Sequence, residues 1–126
     1  MSERYAWIAG RVLLSTIFIL SALGKLADLG GTAGYMRAAG MPMIWFFLPM
    51  AILLELGGGL AILTGFGARI GALALIVFLV PATLIFHAFW AAPAAEHQMQ
   101  MINFMKNLSI LGGLLLVMPA SVAAEH

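Results

Sequence analysis

Ile44-Trp45-Phe46-Phe47-Leu48-Pro49-Met50-Ala51-Ile52-Leu53-Leu54-Glu55-Leu56-Gly57-Gly58-Gly59-Leu60-Ala61-Ile62-Leu63 carries one ionisable residue, Glu55, in an otherwise apolar run. A helix needs about 20 mostly apolar residues to cross a hydrocarbon core of about 30 Å. Three other stretches meet the same requirement: Tyr5 to Gly24, Ile70 to Trp90 and Met101 to Pro119. The expected fold is therefore an all-α membrane protein, a bundle of four transmembrane helices formed by residues 1–126 as a single domain. Composition agrees. Of the 126 residues, 63% are hydrophobic and 9% charged, against about half and a quarter in soluble domains. A soluble chain of this size has too little interior to hide so much apolar surface.

Working outward, the connections differ in character. Lys25 to Met43 is the longest. Within it, Thr32 is positioned to cap a short helix through Tyr35, Met36 and Arg37, with Gly40 ending it and Pro42 blocking continuation. This segment reads as a short interfacial helix between helices one and two. Gly65-Phe66-Gly67 is a tight link that makes the second and third spans an antiparallel hairpin, and Pro81 is expected to kink the third. Small residues recur four apart at Gly57, Ala61 and Gly65, at Gly67 and Gly71, and at Ala68 and Ala72, with Gly112 and Gly113 on the last span. In lipid such positions let helix backbones approach closely. Gly65-x-Gly67 lacks the third glycine and the preceding strand of a dinucleotide site.

Arg4 before an apolar run and small residues near Ala22 have the outline of a signal peptide. The run is long and carries Arg11, so it reads as a retained span. Net charge is +1, and no nucleic-acid partner is expected. The absence of cysteine excludes disulfides, thiolate metal sites and cysteine redox chemistry within the chain. An even number of spans puts both termini on one side, assigned to the cytoplasm, although basic residues divide almost evenly between the two sides.

Ionisable groups inside spans cost about 2.5–3.5 kcal/mol or more at the centre and are functional candidates by default. Arg11, Glu55, His87 and Lys106 are such groups. With a rise of about 1.5 Å per residue, Arg11 lies roughly 9 Å and Glu55 roughly 13 Å from the amino-terminal side. Lys106 lies roughly 8 Å from the opposite face, with His87 nearer still. A carboxyl buried alone takes up a proton, whereas one paired with a cation stays ionised. Depth matching makes Arg11 the first expected partner of Glu55 and Lys106 the alternative. His87, within Phe86-His87-Ala88-Phe89-Trp90, suits hydrogen bonding or proton donation to a lipid-soluble carbonyl. The bland readings are an ion pair that only staples helices, an interfacial aromatic belt and a snorkelling lysine. His97, Met99, Met101 and Met105 are soft ligands of the type that takes Cu(I), loosely spaced. No zinc set or Ser/His/Asp triad is present, and no metal site is assigned.

These segments also carry a resemblance. Arg11-Val12-Leu13-Leu14, Ser21-Ala22-Leu23-Gly24-Lys25-Leu26, Gly31-Thr32-Ala33-Gly34-Tyr35-Met36, Leu54-Glu55-Leu56-Gly57-Gly58, Phe86-His87-Ala88-Phe89-Trp90 and Phe104-Met105-Lys106-Asn107-Leu108 before Gly112-Gly113 resemble, in that order, the DoxX family of small bacterial membrane proteins. The resemblance covers about residues 5–118. It implies a four-helix protein of the bacterial inner membrane and an association with quinone-coupled or oxidative-stress redox systems. The expected function is redox-associated binding of a quinone or similar lipid-soluble compound in a polar seam between helices. Arg11, Lys25, Glu55, His87, Trp90, Lys106 and Asn107 are the expected binding residues, and His87, Glu55 and Lys106 the candidates for chemistry. The alternatives are a non-catalytic membrane subunit that docks an oxidoreductase, or handling of a small solute or Cu(I). Expected partners are the lipid bilayer, an oxidoreductase protein and further copies of the chain.

Overall fold

The structure is a computed structural model and describes residues 2–119. Its elements are α1 (Glu3–Ala27), α2 (Leu29–Ala38), α3 (Ile44–Thr64), α4 (Ala68–Phe86), a short 3-10 turn (Phe89–Ala91) and α5 (His97–Val117). No strand occurs among the described residues. The spanning units are α1, α3, α5 and the stretch from Ala68 to Ala91, each long and apolar enough to cross a bilayer. The chain runs up α1, turns through α2, descends α3, and rises and falls again through α4 and α5. Side A denotes the level of the chain's amino terminus and side B the opposite one, where α2 and the 3-10 turn lie.

Local chemistry sets the element ends. Ser2 caps α1 by accepting from the Tyr5 N–H. Asp28 both ends α1 and starts α2, its carboxylate accepting from the Gly31 N–H at 2.9 Å. Thr32 is therefore not the cap of the interfacial helix: Asp28 offers a charged acceptor a turn earlier, and the Thr32 hydroxyl instead donates back to the Asp28 carbonyl. Gly40, with φ +81°, follows that helix as expected. Gly65 and Gly67 take left-handed backbone, at φ +79° and +69°, and turn the α3–α4 hairpin, a conformation glycine adopts without penalty. α4 continues through Pro81. The third span extends to Ala91 as expected, but its regular α-helix stops at Phe86, so His87 lies just past α4 and Trp90 in the 3-10 turn.

Packing is tightest on the side A half. A Cβ added to Gly71 would lie 2.6 Å from the Ala61 Cβ and 2.9 Å from the Gly58 carbonyl oxygen. A Cβ on Gly59 would lie 2.8 Å from Ile19 of α1. The contact glycines are thus Gly58 and Gly59, whereas Gly57, expected to pack, faces open space, as does Gly112. One apolar cluster joins Phe18, Ile62, Leu75, Leu79 and Leu114 across the four long helices. A second, near side B, holds α2 on α3 through Ala33, Met36, Ile44, Leu48 and Ile52, with Phe86 and Met41 against it.

Candidate functional site

Between these two clusters lies a cavity of about 850 Å³, near the upper end of the range of small-molecule sites, about 300–1,000 Å³. All five α-helices contribute to its lining.

Its central feature is an ion pair. Lys25 Nζ donates to Glu55 Oε1 at 2.5 Å and to Ser21 Oγ at 2.8 Å. Glu55 is 2% exposed and Lys25 22%. The Lys25 ammonium also stands 5.5 Å from the centroid of the Phe78 ring, within cation–π range. The partner of Glu55 is therefore Lys25, and the expected pairing with Arg11 or Lys106 does not form. The reason is side-chain direction. Along a helix the Cα–Cβ bonds tilt toward the amino terminus. On α1 that tilt carries Lys25, from the side B end, back toward the middle of the bilayer and onto the face of Ser21 one turn earlier.

The same rule takes the other two cations away. Arg11, also on α1, is carried toward side A, and its guanidinium lies against Gly65 at the carboxyl end of α3. Terminal carbonyls there attract positive charge, although the Arg11 Nε is buried without a hydrogen-bond partner among the described residues. Lys106 on α5 tilts toward side B. It is exposed and has no hydrogen-bond or ion-pair partner among the described residues, as expected of a lysine whose ammonium snorkels to the interface.

Of the expected binding residues, the structure brings Lys25, Glu55, His87 and Asn107 to one cavity and leaves Arg11, Trp90 and Lys106 outside its lining. His87 Nδ1 lies 2.8 Å from the Gln100 side-chain oxygen, which ties the end of α4 to α5. Asn107 donates to the Thr83 hydroxyl at 3.0 Å, and that hydroxyl donates to the Leu79 carbonyl. Trp90 belongs to an aromatic group outside the cavity, meeting Phe89 and Phe104 edge-on. His97 faces the ring of Phe89, and Met99 and Met105 are exposed.

Sequence reasoning missed Ser21, Phe78 and Tyr35. The Ser21 signal was present, since residues four apart share a helix face. Tyr35 stacks on Phe86 with centroids 5.0 Å apart and planes at 16°, an interaction between α2 and α4 that only the tertiary fold could bring about. The lining thus combines the Lys25–Glu55 pair with two separate polar points, His87 and Asn107, among apolar walls. Such a site can hold and orient a polar carbonyl on an apolar molecule.

The DoxX family model matches residues 6–88, which takes in α1, α2, α3, α4 and both members of the ion pair. The chain belongs to the DoxX family. Its relatives include inner membrane protein YqjF of Escherichia coli (strain K12), 42% identical over 110 residues, covering 87% of this chain and 79% of the relative. Inner membrane protein YphA of the same organism is 31% identical over 110 residues with the same coverage. No solved structure matches the chain. This DoxX protein has the four apolar spans expected of a membrane protein, and the relatives named here are inner-membrane proteins.

Proposed function

We propose that this DoxX protein is a redox-associated inner-membrane protein that binds a quinone or similar lipid-soluble carbonyl compound in the seam around Lys25 and Glu55. The observation that carries the reading is a buried ion pair that lines a cavity large enough for a ligand. A pair serving only as a staple needs no cavity beside it, and a charge in a span is costly enough to call for a use. The residues fit such a ligand. Lys25 can donate to a carbonyl oxygen, and Glu55 fixes the position of that ammonium. His87 and Asn107 stand at other points of the lining, and Phe78 and Phe86 offer flat walls. A quinone, when bound, would accept or release electrons together with protons; the chain's own groups bind it, orient its oxygens and exclude water. With both termini in the cytoplasm, as the proposed orientation has them, the cavity would lie in the outer half of the inner membrane.

The test is thermal unfolding of the purified protein in detergent with a decyl-substituted benzoquinone. A saturable rise in melting temperature is expected for the wild type, and its loss in the Lys25→Met/Glu55→Leu double variant. No shift in the wild type overturns the reading.

A second reading, a non-catalytic subunit that docks an oxidoreductase, draws support from Lys106. An exposed cation within a span, with no partner among the described residues, is suited to a carboxylate on another chain. Mild-detergent isolation at native expression followed by mass spectrometry tests it; recovery only as a lone chain or homo-oligomer counts against it.

A further inference from the structure

The cavity has two ends of different character. Toward side B it is covered. The buried cluster of Ala33, Met36, Ile44, Leu48 and Ile52 seats α2 across that end, and Tyr35 stacks on Phe86 from above. Toward the lipid it is not covered. α3 and α4 touch at Gly58, Ala61 and Gly71 in the side A half. In the other half the facing residues of the two helices line the cavity instead of meeting: Phe47, Met50 and Leu54 on α3, and Val77, Pro81 and Ile85 on α4. Several of these wall residues are also on the outside. Val77 is 57% exposed, Ile85 41% and Met50 39%, and Pro81 is exposed as well. All lie within helices apolar enough to span the bilayer, so whatever part of their exposed surface lies outside the cavity faces hydrocarbon.

Two prolines sit in these same half-helices. Pro49 and Pro81 are both interior to their helices. Proline has no N–H to donate and its ring crowds the preceding turn, which disfavours close, regular packing of the two helices where the gap lies.

We infer that the cavity is loaded sideways from the bilayer, through a portal between α3 and α4, and that its occupant is a chain-bearing amphiphile. The polar head lies at Lys25 and Glu55, and the apolar chain lies in the portal between Met50 and Val77. This rests on the proposed binding reading and narrows its ligand class: a small water-borne carbonyl compound has neither the route nor anything to fill the apolar gap. It also gives α2 a role, as the cover that keeps side B water off the ion pair.

Two measurements test it, one of them independent of any ligand. The chain has no cysteine, so Ala51→Cys, half-buried on the cavity wall, accepts a single spin label in the otherwise native protein. In reconstituted vesicles, dissolved oxygen is expected to relax that label strongly and a water-soluble nickel chelate weakly. Strong relaxation by the chelate means that the cavity opens to water and overturns the lateral route. The second measurement compares decyl-benzoquinone with the same ring lacking its chain. Val77→Trp, which fills the portal, is expected to weaken the chain-bearing compound about tenfold more than the bare ring, the effect of uncovering about two methylenes. Ile85→Trp, at the other edge, serves as the second variant should the first fold poorly. If the wild type binds both compounds and the portal variants weaken them equally, the chain does not occupy the portal and the inference fails. If the wild type binds neither, the binding reading itself fails, while the spin-label result still decides the route.

Discussion

Lys25 and Glu55 begin from opposite ends of the problem: the lysine belongs to the last turn of α1 at side B, the glutamate to the middle of α3, and the two meet at 2.5 Å inside the bundle. The pair joins the two helices at the level of the cavity and leaves its second consequence there, a fixed ammonium facing an apolar chamber.

Removing one member should cost far more than removing both. Lys25→Met leaves a buried carboxylate without its cation, and a loss of about 3–5 kcal/mol is expected. The double variant Lys25→Met/Glu55→Leu should recover most of that loss, because well-packed apolar residues commonly replace buried ion pairs at little cost. Reversible unfolding in mixed micelles measures both. A double variant no more stable than Lys25→Met would show that the residues do not act as a pair.

The helix contact makes a contrast between glycines. Gly71→Ala meets the Ala61 Cβ and the Gly58 carbonyl, neither the far end of a flexible side chain, so a loss of about 1–3 kcal/mol is expected from overpacking. Gly57→Ala enters open space and should be neutral or gain up to about 1 kcal/mol from helix propensity. The same unfolding measurement separates them, and equal effects would contradict the described α3–α4 register.

Gly65 answers two requirements at once. Its φ is +79° and a Cβ there would collide with the Arg11 guanidinium. Gly65→Ala should therefore cost about 1–2 kcal/mol from the left-handed backbone alone. The further loss from displacing Arg11 should be reduced when Arg11→Ala is present too. A double-mutant cycle shows the coupling, and strict additivity would deny the contact.

Orientation becomes sharper once the charges are placed. Lys25 is neutralised within the bundle and Arg11 is drawn toward side A, so Arg4, Arg11 and Arg69 mark side A while Arg37 and Lys106 mark side B. By the positive-inside rule, side A is expected in the cytoplasm. A fluorescent-protein fusion at the carboxyl terminus should fluoresce, and an alkaline phosphatase fusion there should be inactive; the reverse pattern would invert the assignment.

Much of the fold was legible in the residues. Four spans, the short interfacial helix and the tight Gly65–Gly67 hairpin all follow from local properties: apolar length, capping chemistry and glycine's tolerance of positive φ. Where the reading went astray, the cause was a competing group nearby, as when Asp28 displaced Thr32 as the cap, or a one-residue change of helix face, as when Gly58 and Gly59 rather than Gly57 formed the contact. A rotation of about 100° per residue turns such a shift into a different neighbour. Within the site, Lys25, Glu55, His87 and Asn107 were identifiable as polar residues where polarity is costly. Their partners were not.

What the sequence by itself determined is that this chain enters a membrane four times and that a few ionisable residues go in with it. Transfer into lipid depends on the residues of one segment at a time. Which of those residues meet was decided only by the tertiary structure. Depth along each helix placed Arg11 level with Glu55, but side chains leave a helix toward its amino terminus, and helices of opposite direction send them to opposite sides. That carried Arg11 down to Gly65, Lys106 up toward side B and Lys25 inward to Glu55. The contact of α3 with α4 at Gly58 and Gly71 then set where the two helices close and where they leave a cavity.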